Sequence, residues 1–274
     1  MSKKSRRLFI SIAVLSVVWF ACGERATKFI LKCNVGDEHR YQLVQDSTTA
    51  TEFMGRKMEM PSQTNITLTQ KVEKVEQGVI QLTLTYDSFD MEMNVGGKEI
   101  PGTMGDKMVG QSITMKLGEN GEILEPQGIQ SMVALQGPSS DVSSMFFSLY
   151  PTFPDRALKV GESWTQTQEM SKESQMGMAT ETQYTFTRRE EKKGLKCAVI
   201  DFTLSMNIKG SGEAQMNIEG NGTGKGTIYF AYEKGLLVDS AVELDMMMAI
   251  QTPLPGGDGK IPTTTHQTIN LTLM

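Results

Sequence analysis

Histidine is almost missing from this chain: His39 and His266 are the only two in 274 residues, and neither stands in a metal-ligand pair. No Cys-x-x-Cys, His-Glu-x-x-His or Gly-x-Ser-x-Gly occurs, so the usual zinc, thiol-redox and serine-nucleophile signatures are absent. Asp37, Glu38 and His39 sit together, but at the start of a strand, where turn-forming acids are routine. The reading is a non-enzyme, with no catalytic residue, no metal and no cofactor. Positive charge is also short. The formal net charge is -5, and removal of the first 21 residues would take away Lys3, Lys4, Arg6 and Arg7 and no acid. A nucleic-acid partner is excluded on this ground, because a phosphate-binding surface needs an excess of Lys and Arg.

What is present begins with a leader. MSKKSRRLFISIAVLSVVWFACGERA has a basic head, an apolar stretch from Leu8 to Phe20 that is short for a membrane span, then Ala21 and Cys22. Cys22 resembles the acylation site of bacterial lipoproteins, although Trp19 and Phe20 stand where aliphatic and small residues are usual. That resemblance implies a signal peptide over 1–21, a lipidated Cys22 and a tether over 22–33. Gly23 in place of Asp points to the outer membrane, facing the periplasm, rather than the inner membrane. Cys33 and Cys197 remain, and an oxidising periplasm allows them either to pair or to stay as single buried thiols.

The rest reads as one β domain, 34–274, made of a unit used twice. NVGDEHRY at 34–41 matches KVGESWTQ at 159–166, Gly78 matches Gly194, and Gly121 matches Gly235, at similar intervals. Unit one spans 34–125 and unit two 156–274. Stretches such as Asn65 to Val75 alternate apolar and polar residues, and charged tips ending in glycine separate them, which predicts antiparallel hairpins in a curved sheet or half-barrel. Between the units, 126–155 predicts a short helical insertion: Ile129, Met132 and Val133, then Val142, Met145, Phe146 and Leu149, have helical spacing before Pro151 and Pro154. It reads equally as a plain core helix or as a lid.

The run GEAQMNIEGNGTGKGTIYFAY invites a phosphate loop, yet Gly226 occupies the position where Ser or Thr is needed, and a strand rather than a helix follows. Asn221-Gly222 is a favoured hairpin turn, but parity argues otherwise. Met216, Ile218, Gly220, Gly222, Gly224, Gly226, Ile228 and Phe230 share one face of a strand. Its glycines either let neighbours pack close or leave room for a ligand. Twenty methionines include the pairs Met58/Met60, Met91/Met93 and Met176/Met178, which suit core or cavity lining and, less well, Cu(I).

Val160 to Trp164 preceded by FPDRALK, the alternating glycines, and the duplicated hairpins resemble an uncharacterised family of bacterial lipoproteins. In outline that family is similar to half-barrel lipoprotein carriers and lipid-binding envelope proteins. The resemblance implies a membrane-anchored envelope lipoprotein holding an apolar or lipidic ligand between sheet and helices. Met216, Ile218, Gly220, Gly222, Gly224, Gly226, Phe230, Met145 and Phe146 are the residues expected to face it. The competing expectation is a structural or interaction lipoprotein with a filled core, its protein partners and oligomeric state unread.

Overall fold

The structure is a computed structural model that describes residues 25–53, 56–101, 105–125, 151–170, 176–211, 217–254 and 257–274. The predicted signal peptide, Cys22, Met216, and the stretch 126–150 with Met145 and Phe146 lie outside these residues. The strands are β1 (Glu38–Phe53), β2 (Arg56–Glu76), β3 (Val79–Val95), β4 (Lys98–Pro101), β5 (Ser112–Gly118), β6 (Ile123–Glu125), β7 (Ser163–Met170), β8 (Met176–Lys192), β9 (Leu195–Ser211), β10 (Asn217–Ala231), β11 (Leu236–Leu254) and β12 (Gly257–Leu273). One helical turn, α1 (Gly105–Met108), is the only helix among the described residues. Residues 151–155, the described end of the predicted insertion, are not helical. Two prolines at 151 and 154 leave little backbone there that could continue a helix.

All strands join one open antiparallel sheet, ordered β6-β5-β3-β2-β1-β12-β11-β10-β9-β8-β7, with β4 paired to β3. Two meanders therefore meet where the last strand, β12, pairs with the first, β1. Alternation builds this sheet. Ile66, Leu68, Gln70 and Val72 of β2 are buried while Lys71 and Glu73 are exposed, and the same period runs through β3 and β5.

The two meanders repeat each other's turns. Gln77-Gly78 and Lys193-Gly194 are both two-residue hairpin loops with positive φ at each position, 51° and 79° in the first and 53° and 73° in the second. Gly36 and Gly161 have φ of 90° and 88°, and each donates its N–H across to a strand end, Gly36 to Val72 O and Gly161 to Phe186 O. The acid after each glycine caps its own turn: Asp37 Oδ2 accepts from Asn34 N at 2.7 Å, and Glu162 Oε2 from Lys159 N at 2.6 Å.

One end of the sheet's inner face is closed by two crossing segments. Thr27 and Leu158 form a two-way bridge at 2.8 Å, Leu31 N donates to Glu119 O, Lys32 N to Gly235 O, and Phe153 N to Asn120 O. Residues 25–33 thus form a strap hydrogen-bonded across this end: Lys28 and Lys32 stay exposed, while Phe29 and Leu31 are buried and supply the plug. Phe29 meets Phe153, Phe186 and Phe230 at centroid distances of 5.3, 5.2 and 6.0 Å, and Phe153 meets Phe230 at 4.6 Å.

Trp164 ties the second segment to the sheet. Its ring stacks on Tyr184 at 5.0 Å and its Nε1–H donates to Thr152 O at 2.8 Å. Trp164→Phe keeps most of the ring area and loses that bond, so it is expected to cost about 1 kcal/mol and lower Tm by about 3 °C in a thermal melt.

Candidate functional site

Register across the sheet defines the inner face strand by strand. One level runs Met93, Ser62, Ser47, Gln267, Leu244, Gly224, Leu204, Thr182, Gln166 from β3 to β7. The level nearer the plug runs Met91, Thr64, Gln45, Ile269, Val242, Gly226, Phe202, Tyr184, Trp164. The level farther from it, from β2 to β7, runs Met60, Thr49, Thr265, Met246, Gly222, Met206, Thr180, Gln168. None of these positions carries an Asp, Glu, Lys, Arg or His. The face is uncharged, but it is not uniformly apolar.

On β9 to β11 it is a methionine and isoleucine surface. Met206, Ile208, Ile218, Leu244 and Met246 form a buried cluster separate from the aromatic plug, with Met178, Leu204 and Met248 packed against it. On β2, β1 and β12 it is a hydroxyl and amide stripe. Ser47 Oγ and Ser62 Oγ lie 2.8 Å apart, Thr49 Oγ1 and Thr265 Oγ1 3.2 Å apart, and Gln45 Nε2 donates to Gln267 Oε1 at 3.2 Å. Thr64 and Thr263 are buried on the same stripe. Gln267 is 0% exposed, and its Nε2 has no hydrogen-bond partner among the described residues.

The predicted glycine face is where parity put it, mid-strand on β10, but side chains of the flanking strands roll into the trough it leaves. A Cβ at Gly220 would come within 2.9 Å of Met248 Cγ, at Gly222 within 2.9 Å of Met206 Cγ, and at Gly224 within 3.1 Å of both Leu204 Cγ and Leu244 Cδ1. At Gly226 it would come within 2.5 Å of Phe202 Cζ. At these glycines an added Cβ would also press on β11 backbone oxygens, Met247 O, Asp245 O, Glu243 O and Ala241 O, so the row lets neighbouring side chains fold over the strand.

The structure also divides the residues expected to face a ligand. Ile218 belongs to the methionine cluster, whereas Phe230 lies in the plug. Twelve residues of strand separate them, about 40 Å at the usual rise, so one small ligand cannot touch both. Of the methionine pairs, Met91 packs on the main core and Met178 on the second cluster, while Met58 is 48% exposed near the far tip of β2.

Cys33 and Cys197 are free thiols on opposite faces, which sets aside the disulfide that the sequence allowed. Cys197 packs with Ala231 and Val238 on the outer side, and Cys33 packs against the inner core. Burial, with the Asp37 carboxylate nearby, pushes the Cys33 thiol up to about 11, and burial also raises Cys197. Both shifts favour the protonated thiol at neutral pH.

Two residue groups on the outer face were invisible as motifs because cross-strand register assembles them. Asp245 and His266 sit opposite each other on β11 and β12, with His266 Nδ1 and Asp245 Oδ1 2.7 Å apart. Glu243 joins them so that the three ligand atoms lie within 4.8 Å of one another, although Glu243 also pairs with Lys225 at 3.0 Å. A neighbouring open concavity of about 460 Å³ is lined by Asp46, Gln63, Glu92, Glu99 and His266 among others. The charged outer face contrasts with the neutral inner one.

No helix among the described residues is long and apolar enough to cross a membrane. No curated protein matches the chain by sequence. Among solved structures, lipovitellin, described for its lipid–protein interactions, aligns over 89% of this chain and 25% of its own at 12% identity and a TM-score of 0.49. The chain therefore spans a quarter of that protein's length. An outer membrane channel from Pseudomonas putida F1 aligns over 89% of this chain and 98% of its own, at 9% identity and a TM-score of 0.28. A protein from Bacteroides fragilis NCTC 9343, described as exported and YmcC-like in fold, aligns over 90% and 97%, at 11% identity and a TM-score of 0.25. The sequence profile of a family of unknown function, DUF6263, matches residues 138–237, the stretch that contains Trp164, the second unit's first hairpin and the glycine row.

Proposed function

We propose that this chain is an envelope lipoprotein, anchored through Cys22 to the periplasmic side of the outer membrane, which holds an apolar or lipidic ligand on the inner face of its sheet. The observation that carries the reading is the second cluster. Met206, Ile208, Ile218, Leu244 and Met246 make an apolar surface apart from the aromatic plug, on a face with no charge at its level. Thioethers have three rotatable bonds and adapt to a flexible chain at low cost. The leader and Cys22 supply the address, and the closed end leaves the methionine end as the natural entrance.

A second reading, a filled scaffold that works through protein contacts, is favoured by one observation: the glycine trough is already occupied by Met206, Met246 and Met248. Native mass spectrometry separates the two. The chain beginning at Gly23, exported to a periplasm and purified without detergent, is expected to retain a lipid mass that denaturation releases. A bare mass that stays bare after incubation with lipid would leave the scaffold reading standing.

A further inference from the structure

We infer that the inner face selects an uncharged amphiphile, an acyl chain that ends in an ester or amide carbonyl, and that Gln267 Nε2 is the group that donates to that carbonyl. The inference rests on the ligand reading above and specifies its chemistry. Gln267 stands at the border between the two halves of the inner face. Its cross-strand neighbour on β11 is Leu244, a member of the methionine cluster, and its neighbour on β1 is Ser47, in the hydroxyl stripe. A chain lying on Met206 and Met246 would place its first polar group beside Gln267.

The amide has a donor to give. Its Oε1 accepts from Gln45 Nε2, whereas its Nε2 is buried without a partner among the described residues, a state that costs stability unless an acceptor is supplied. A carbonyl oxygen is such an acceptor. The charge pattern sets the class of head group. A carboxylate or phosphate needs a cation or several donors to leave water, and the inner face carries no Lys, Arg or His at the level of Gln267 or at the levels on either side. Ester and amide head groups lose far less on burial, and the Ser and Thr hydroxyls of the stripe can meet a glycerol or ethanolamine hydroxyl.

The test reconstitutes the full chain into phosphatidylcholine vesicles and adds three photoreactive probes with the same acyl chain: a monoacylglycerol, an N-acylethanolamine and the free fatty acid. Labelled peptides are read by mass spectrometry. The ester or amide probe, or both, is expected to label β9 to β12 peptides at least tenfold more than the fatty acid, and the ratio between the two identifies the source of the carbonyl. Gln267→Met, which keeps the length and removes the donor, is expected to bring all probes to the fatty-acid level while melting at or above the wild-type temperature. Equal labelling by fatty acid in the wild type, an unchanged preference in Gln267→Met, or a melt well below wild type would each overturn the assignment. Labelling by none of the probes would remove the ligand reading itself.

Discussion

Gly235→Ala is expected to destabilise the fold by about 3–5 kcal/mol, which for a chain of this size lowers Tm by about 10 °C. Two effects add. Gly235 has φ +65°, where any side chain is strained, by about 1 kcal/mol. A Cβ there would also lie 2.7 Å from Ile30 O and 2.7 Å from Lys32 Cβ, with Lys32 N nearer still. These are backbone or backbone-proximal atoms of the strap that crosses the β10–β11 turn, so the strap itself must move. Moving it breaks the Lys32 N to Gly235 O bond and disturbs Phe29 and Leu31, which carry the plug. Gly194→Ala is the control, because φ is +73° but nothing lies within 4 Å of the added atom. It is expected to lose only the strain, about 1 kcal/mol. Equal melting temperatures for the two variants would show that the strap does not press on the turn.

Alkaline pH is expected to unfold the protein through its buried phenols. Burial raises the phenols of Tyr41 and Tyr86 far above their ordinary value of 10.0, and raises Tyr184 to about 12. Tyr41 also donates to Leu237 O at 3.0 Å, a bond that the phenolate would lose. A phenol that stays protonated in the fold and ionises in the unfolded chain takes stability away as pH rises above the unfolded value. At pH 11 each such group costs about 1.4 kcal/mol, so three cost about 4 kcal/mol. Cys33, raised from 9.0 to about 11, acts in the same direction and starts the decline nearer pH 9. Melting temperature followed from pH 8 to 11, together with tyrosinate absorbance, should show a steep fall above pH 10 with ionisation and unfolding in one transition. A Tm that holds unchanged to pH 11 would mean that the buried phenols of Tyr41, Tyr86 and Tyr184 do not stay protonated in the fold.

These expectations depend on the inner and outer faces being chemically different, which is also what the candidate site depends on. The sheet keeps its charges outside, where pairs such as Lys225 with Glu243 and Arg40 with Asp87 are exposed or partly exposed and contribute little each. Its inside is divided lengthwise into an aromatic plug and an uncharged, half-apolar and half-hydroxylated surface. On the proposed reading, that division is what favours a neutral amphiphile over an ion.

Much of this was determined by local sequence. Period-two alternation specified strands and faces, Gln77-Gly78 and Lys193-Gly194 specified hairpins through positive φ, and the parity of Gly220 to Gly226 placed that row mid-strand rather than at a turn or a phosphate. Gly36 and Gly161, and likewise Gly121 and Gly235, are matched in spacing, and all four take positive φ. Tertiary structure decided what spacing cannot encode. Residues 25–33 look like a tether because nothing nearby in sequence is their partner; they form a strap because Glu119, Leu158 and Gly235, all far along the chain, accept or donate their backbone hydrogen bonds. Ile218 and Phe230 share parity, yet a strand is long, and the plug claims one end while the methionine cluster claims the other. Gln267 was legible only as one more alternating residue of PTTTHQTINLTL. Which side chain stands beside it depends on the β1–β12 and β11–β12 registers, and register is a property of paired strands rather than of either one alone.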